Sequence, residues 1–355
     1  MKSLQVLIIE DSPVVQKLLS DVLSAEPGIE ILGVASDPIE ARDIILKNKP
    51  DVITLDIEMP RMDGITFLKR LMNYDQIPVV MISSFTKSNS IQTIRAMEAG
   101  AFDFVTKPEA GSGWGRDLWN EIITKVRAAA NLRIQRYFPV CRPLESFKFE
   151  NLEHSRLIVI GASTGGIRVV GKILSGINFT TKGILVMVHL PHRYAASFAQ
   201  RLNDDLPMVV KEASDMDEVE PGVALVAPGG GKNMRVVRNG AGYMIRLDKV
   251  SNPPRRNASI DVLFHSVAEN VGKESIGVIL TGMGSDGAEG LAAMKKSGAY
   301  TIAQNKESCL VFGMPNSAIK LNAVNRVLSP ERIPHVIRAR STFQKGMKHG
   351  HNPGN

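Results

Sequence analysis

Cysteine is scarce in this chain: Cys141 and Cys309 are the only two among 355 residues. Two thiols cannot build a disulfide framework or a cysteine-rich zinc site, so a reducing, cytoplasmic setting is expected. Long apolar stretches are missing too. Runs such as Leu157–Ile160, Ile184–Val188 and Val278–Leu280 fall far short of the roughly 20 residues that cross a bilayer. The opening MKSLQVLIIE has no small-residue cleavage site, and Glu10 and Asp11 close its apolar run, so it does not read as a secretory signal. Internal repeats, low-complexity tracts and a short helix-turn-helix unit are also absent. What remains is a globular composition, 44% hydrophobic and 22% charged, with length for two domains at about 150 residues each.

The net charge of +7 divides unevenly. Residues 1–130 carry 14 Lys+Arg against 18 Asp+Glu (−4), whereas residues 151–355 carry 25 against 16 (+9). Two units with different partners fit such a split, although on charge alone a solvated basic face with no partner is the better reading of the second half. Apolar runs of strand length alternate with helical spacing. In the first half the runs are Gln5–Ile9, Ile29–Ala35, Val52–Leu55, Val79–Ile82 and Phe102–Val105, with amphipathic Pro13–Ala25 and Asp37–Asn48 between them. This is an α/β pattern and predicts a doubly wound parallel sheet. The second half repeats it with Leu157–Ile160, Gly183–Val188, Val209–Lys211, Val223–Ala227, Ser275–Leu280 and Tyr300–Ala303. Within Met234–Leu247, Asn239-Gly240 marks a type I′ hairpin. The predicted boundaries are a first domain over 1–125, a linker over 126–152 holding Pro139 and Pro143, a second domain over 153–345 and a frayed tail over 346–355.

In an open parallel sheet, ligands gather beyond the carboxyl ends of the strands. At those ends the first half places Glu10-Asp11, Asp56, Ser83 and Thr106-Lys107-Pro108. Carboxylates packed together repel unless a hard cation joins them, and oxygen ligands of this kind suit Mg²⁺. Lys107 offers a point charge for phosphate, and Ser83 a hydroxyl for a phosphoryl oxygen. The set lets Asp56 act as a nucleophile that becomes an aspartyl phosphate. Singly, each residue has a plainer explanation: Asp11 could cap the helix near Ser12-Pro13, and Asp63-Gly64 is a turn. Together, the acidic pair, LDIEMPRMDG around Asp56, the paired serines after the fourth strand and TKP at Lys107 make residues 1–125 resemble a response-regulator receiver domain of flavodoxin-like fold. The resemblance implies Asp56 as phosphoacceptor, and Glu10, Asp11, Asp56 and the Glu58 carbonyl as Mg²⁺ ligands. It also implies Ser83 and Lys107 as support for the phosphoryl group, and Phe104 as a switching aromatic. Glu10 stands where that family more usually has aspartate, which lengthens one arm of the metal site.

Residues 157–166 (LIVIGASTGG) form a strand, a glycine-rich turn and a helix start. A dinucleotide loop wants G-x-G-x-x-G and an acid at the end of the next strand. Here Ser163 holds the middle position and the next strand ends in His189, so that reading fails. A nucleophile elbow, G-x-S-x-G, fits but is a weak signal alone. His189 after Gly183–Val188 and Asp286 past Leu280 supply the remaining parts at two further strand ends. His189 would deprotonate Ser163, with Asp286 steadying the imidazolium. Asp286 reads equally well as a helix N-cap. The order Ser…His…Asp is not that of α/β-hydrolases, so that fold is not inferred. Backbone N–H groups beginning with Thr164 would form an oxyanion hole. Gly229–Lys232 lacks two features of a phosphate loop, His265 suits the helix Ile260–Val271, and His349 and His351 have no nearby acids.

Residues 153–330 resemble the catalytic domain of chemotaxis protein-glutamate methylesterases, on GASTGG, VHLP followed by SFAQRL, DVLFHSVAE, ILTGMGSDGAEG and AQNKESCLVFGMP. With the receiver in front, the whole chain resembles the two-domain chemotaxis response-regulator methylesterases (the CheB family). The resemblance implies that Ser163, His189 and Asp286 are catalytic and that Met283 lies beside the oxyanion region. The chain departs from the pattern at Gly229–Lys232 and at Pro253–Ala258. The implied activity is hydrolysis of glutamyl methyl esters, and deamidation of selected glutamines, on the cytoplasmic helices of chemoreceptors. Mg²⁺ would serve receiver phosphorylation, and the esterase reaction would need no cofactor. The implied partners are methyl-accepting chemoreceptors as substrate and a chemotaxis histidine kinase as phosphodonor. A cytoplasmic monomer, with no nucleic acid and no membrane insertion, completes the expectation. A DNA-binding regulator is the first rival, but some 200 residues of βα pattern exceed what DNA reading needs. A non-catalytic binding module is the second, distinguished by whether Ser163 reacts with a serine-directed phosphonate.

Overall fold

The computed structural model describes residues 3–84, 86–109, 111–131, 156–177, 181–249 and 258–341. In the first unit the elements alternate strictly: β1 (Leu4–Ile9), α1 (Pro13–Ser24), β2 (Ile29–Ala35), α2 (Pro38–Lys47), β3 (Val52–Asp56), α3 (Gly64–Tyr74), β4 (Val79–Ser83), α4 (Lys87–Ala99), β5 (Asp103–Thr106) and α5 (Arg116–Ala130). The strands pair in parallel in the order β2-β1-β3-β4-β5. β3 and β4 are buried on both faces, as central strands between two helix layers must be. The strand order reverses between β1 and β3, and the crevice there lies between Glu10 and Asp56.

Helix α5 runs past the boundary expected at residue 125. Ile122, Val126 and Ala129 are buried at spacings of four and three, one continuous helical face on the sheet, so the helix continues to Ala130. Most of the expected linker falls within 132–155, and with the 346–355 tail, Cys141, His349 and His351 it lies outside the described residues.

The second unit comprises β6 (Leu157–Ala162), α6 (Gly166–Ser175), β7 (Gly183–Val188), α7 (His192–Asp205), β8 (Val209–Glu212), β9 (Val223–Val226), β10 (Lys232–Asn239) and β11 (Gly242–Lys249). It continues with α8 (Ile260–Asn270), β12 (Ser275–Ile279), α9 (Ala288–Lys296), β13 (Tyr300–Gln304), α10 (Met314–Lys320), β14 (Arg326–Leu328) and α11 (Ile333–Ser341). Seven strands form a parallel sheet in the order β14-β13-β12-β6-β7-β9-β8, and β10 and β11 form an antiparallel hairpin. β6 lies in the interior of the sheet between β7 and β12, so the chain winds outward from it in both directions. The edge strand β14 is not among the expected strands, because three residues with two exposed give no apolar run. In the hairpin, Asn239 pairs with Gly242, leaving Gly240 and Ala241 as the loop. Gly240 takes φ +55° at the first central position and Ala241 has no positive φ, so the turn is not the expected type I′, which needs both central residues left-handed. No helix among the described residues is long and apolar enough to cross a membrane.

The two units touch. The α4–β5 face of the first packs on α6 and α7 of the second. Phe104 and Tyr194 meet with ring centroids 4.6 Å apart, and Thr106 Oγ1 lies 3.2 Å from Tyr194 Oη. Ser90 and Ser197 share a 2.6 Å hydroxyl contact. Two ion pairs, Arg193–Glu109 and Arg201–Glu98, carry the charge asymmetry across the boundary. Arg193–Glu109 is exposed and Arg201–Glu98 half-buried, and such solvated pairs contribute only about 0–1 kcal/mol each, so the aromatic and hydroxyl contacts matter more.

Candidate functional site

Because β6 is flanked by β7 and β12, the chain segments leaving these three strands come together at one end of the sheet. Ser163 follows β6, His189 follows β7, and Asp286 sits in the loop after β12. His189 Nδ1 lies 3.2 Å from Ser163 Oγ and Nε2 lies 2.7 Å from Asp286 Oδ2. The partners assign the tautomer: with Nε2 protonated toward the carboxylate, Nδ1 presents its lone pair to the serine hydroxyl. Glycines make the approach possible. A Cβ on Gly282 would stand 2.7 Å from Ser163 Cβ and overlap Met314 Sδ. Gly165, at φ +79°, turns the chain from Ser163 into α6 with Leu310 packed directly over it. The Gly229 segment also finds a role here: a Cβ there would overlap the Leu190 carbonyl, so this glycine lets the loop lie under the residues after His189.

Asp286 both contacts His189 and caps a helix, though not the helix that follows it. Its Oδ2 accepts from the Ile260 N–H (2.8 Å), and its Oδ1 from the Asp261 N–H (3.0 Å) and the Ser259 hydroxyl (2.7 Å). It therefore caps α8, a helix distant in sequence, while holding His189. Its own following helix, α9, starts instead from Gly287 at φ +90°. Burial works to raise the Asp286 carboxyl, but hydrogen bonds from His189, the Asp261 N–H and Ser259 outweigh it and hold the carboxyl well below the usual range. Ser259 was not legible as part of the site. A serine before an apolar helix reads as a cap, and nothing local says that its hydroxyl serves a carboxylate 27 residues away.

Thr164 and Met283, expected near the oxyanion, lie on the two loops that meet at Ser163. Among the described residues neither backbone N–H donates to a protein acceptor. The Thr164 side chain, in contrast, is engaged: its hydroxyl donates to Asp103 Oδ2 of the first unit at 2.6 Å. The first unit thus reaches the residue next to Ser163.

The second cluster stands at the β1/β3 crevice. Lys107 Nζ lies 2.7 Å from Asp56 Oδ2 and 2.8 Å from Glu10 Oε2. The Ile57 N–H donates to Asp56 Oδ1 at 2.7 Å, and the Lys107 N–H to the Ser83 carbonyl at 2.8 Å. Ser83 is fully buried, and its Oγ contacts Thr93 Oγ1 at 3.3 Å. Burial, followed by the Asp56 charge, pushes Glu10 up to about 7 despite Lys107. Burial likewise raises Asp56, against the pull of Lys107. Carboxylate oxygens of Glu10, Asp11 and Asp56 all lie within 4.8 Å of one another, and Glu10 Oε2 is buried without a well-directed hydrogen bond. This donor set fits a hard divalent cation. Glu58 has an exposed side chain, and its N–H donates to Asp56. Gly64 also proves more than a turn residue, since a Cβ there would overlap the Asp56 carbonyl.

Comparison with known proteins bears on both units. Residues 158–337 match the CheB methylesterase family, and residues 6–112 match the response regulator receiver domain. The protein-glutamate methylesterase/protein-glutamine glutaminase of Salmonella typhimurium is 43% identical over 341 residues, covering 96% of this chain and 97% of that protein. Its namesake from Bordetella parapertussis is 45% identical over 331 residues, covering 92% of this chain and 94% of that one. The crystal structure of the Thermotoga maritima CheB methylesterase catalytic domain is 35% identical, covering 52% of this chain and 97% of that one, with a TM-score of 0.49. The CheB methylesterase family match over residues 158–337 spans Ser163, His189 and Asp286, and the similarity to whole relatives runs through both units, so the chain belongs to the CheB methylesterase family with a response regulator receiver domain at its front.

Proposed function

We propose that this chain is a phosphorylation-gated protein-glutamate methylesterase and protein-glutamine glutaminase of bacterial chemotaxis. The observation that carries the reading is the hydrogen-bonded chain Ser163–His189–Asp286 at the switch point of the second sheet. Ser163 Oγ attacks the carbonyl carbon of a glutamyl γ-methyl ester as its proton passes to His189 Nδ1. The N–H groups of Thr164 and Met283 receive the oxyanion. His189 returns the proton to the leaving methanol, and water then cleaves the acyl-enzyme to give glutamate. With a glutamine side chain the same steps release ammonia. Asp286, held by four donors, remains anionic throughout and stabilises the imidazolium.

Asp56 is the phosphoacceptor in this proposal, with Ser83 and Lys107 contacting the phosphoryl oxygens. Glu10, Asp11 and Asp56, with the Glu58 carbonyl, would hold Mg²⁺. When bound, that ion offsets the negative charge of the transferred phosphoryl group. The partners are a chemotaxis histidine kinase and methyl-accepting chemoreceptors, met in the cytoplasm by a monomer. The acidic methylation region of a receptor suits a catalytic half carrying +9. Gating follows from the contact between units. Phe104 and Thr106 lie on Tyr194, and Asp103 reaches Thr164, so rearrangement around a phosphorylated Asp56 releases the neighbourhood of Ser163. The test is methanol release from methyl-labelled receptor membranes with and without a small phosphodonor. Release should require Ser163 and rise with the donor, and release undiminished in Ser163→Ala would refute the serine mechanism.

A further inference from the structure

Thr281, between β12 and the Gly282–Met283 turn, is completely buried and uses all of its polar atoms. Its carbonyl accepts from the Ser163 N–H at 3.0 Å. Its hydroxyl donates to the Thr164 carbonyl at 3.0 Å, with the Val311 carbonyl a longer alternative at 3.2 Å, and accepts from the Val311 N–H at 2.9 Å. Its own N–H donates to Gln304 Oε1 at 2.9 Å, and Gln304, also fully buried, is fixed by Nε2 donating to the Ser308 carbonyl at 2.7 Å.

The Ser163–Thr164 peptide carries one oxyanion donor. The chain on either side of it, at the Ser163 N–H and at the Thr164 carbonyl, is tied to Thr281. The other donor, Met283 N–H, lies two residues further along the same segment. One buried residue therefore links both halves of the cradle, its hydroxyl holding the Thr164 carbonyl and its backbone holding the Ser163 N–H and the end of β13. We propose that Thr281 is a positioning residue that sets the spacing of the two oxyanion donors around Ser163. This deepens the hydrolase reading and rests on it. An oxyanion hole works only when its donors are fixed before charge develops, because donors that must reorganise give back what they contribute. A loosened Thr164 peptide would thus weaken the transition state while leaving ground-state binding nearly untouched.

The decisive variant is Thr281→Val in the full-length chain, which keeps shape and buried volume and removes only the hydroxyl. With a small soluble methyl ester, kcat should fall about 10- to 100-fold, comparable to misplacing a catalytic group by an ångström or less, while KM stays within about twofold. Labelling of Ser163 by a fluorophosphonate should slow in parallel, and Thr281→Ser should recover most of the loss. A folded Thr281→Val with wild-type kcat, or one whose loss lies in KM alone, overturns the proposal. If the valine variant does not fold, Thr281→Ser and Thr281→Ala are compared at a temperature where both hold native near-UV dichroism, and equal kcat values overturn it. Ser163→Ala separates the two levels. An inactive Ser163→Ala beside an unimpaired Thr281→Val removes only the positioning role, whereas an active Ser163→Ala removes the hydrolase reading and this inference with it.

Discussion

At the end of β3, burial draws the Asp56 carboxyl above its ordinary value, and Lys107 with two backbone N–H groups only partly offsets it. In the loop after β12, Asp286 is also largely shielded, yet hydrogen bonds from His189, Asp261 and Ser259 hold it below that value. Burial is common to both, so donor supply makes the difference. Asp56 shares its one cation with Glu10, itself pushed up to about 7. Two carboxylates on one lysine are short of positive charge, the condition a divalent ion and a covalent phosphoryl group would exploit. Asp286 has four donors and stays an anion beside the His189 imidazole, which the proposed mechanism would charge. The same fold principle, a pocket at a strand-order reversal, thus holds one carboxylate raised and one lowered, which under the proposed function are the one that would react and the one that would only support.

The sharpest way to break this contrast is Asp286→Asn. Loss of the anion should lower kcat by about 10⁴-fold, the scale seen when a triad aspartate is amidated. Stability should also fall by about 1 kcal/mol, because the amide is a poorer partner for the donors at the α8 N-terminus. The pH dependence has a definite sign. The folded-state carboxyl is depressed, so its stabilisation is present above the unfolded value of about 3.9 and is lost as pH falls through the lower folded value. The stability gap between wild type and Asp286→Asn, followed by thermal unfolding, should therefore be open at neutral pH and narrow below about pH 4.

Asp56→Asn sharpens the other side. It should abolish Mg²⁺-dependent labelling by a phosphodonor and the activation that follows, leaving basal ester hydrolysis within about twofold of wild type. Persistent labelling would move the acceptor, with Asp11 the next candidate. Deleting residues 1–130 removes the contacts from Asp103, Phe104 and Thr106 and should raise activity toward receptor about tenfold, within the range of ordinary coupling energies. A small ester should respond less, and a truncated chain no faster than the unphosphorylated protein would mean that the receiver activates directly. The smallest effect is expected from Tyr194→Phe, which keeps the ring on Phe104 and loses the hydroxyl contacts to Thr106 and Thr93. Basal activity should rise about two- to fivefold, the equivalent of roughly 0.5–1 kcal/mol of net hydrogen bonding lost across the boundary. An unchanged basal rate would assign the gate to the aromatic contact and to Asp103.

Much of this is legible in the amino-acid sequence. Strands are signalled by short apolar runs and helices by their spacing, both local properties, so the expected strands fall within a residue or two of those observed. Chemistry-bearing residues at successive strand ends pointed to Asp56 and Lys107 in one half and to Ser163, His189 and Asp286 in the other, because a parallel sheet directs every such end to one edge. The end of α5 and the edge strand β14 were not legible: a helix end depends on what its last turn packs against, and a three-residue strand carries no pattern.

What the sequence determined by itself is the set of parts: two α/β units, the glycines where the chain must pass closely, and the reactive side chains at strand ends. Tertiary structure alone decided which parts meet. Ser163 and His189 stand 26 positions apart and His189 and Asp286 97, and they touch because β6 pairs with β7 on one side and β12 on the other. The same pairing chose Nδ1 rather than Nε2 to face the serine, gave Asp286 the cap of α8, and tied Thr281 to the Ser163–Thr164 segment. Hydrogen bonds across a sheet edge depend on strand order and on approach to within about 3 Å, and neither quantity has a local signature in the chain.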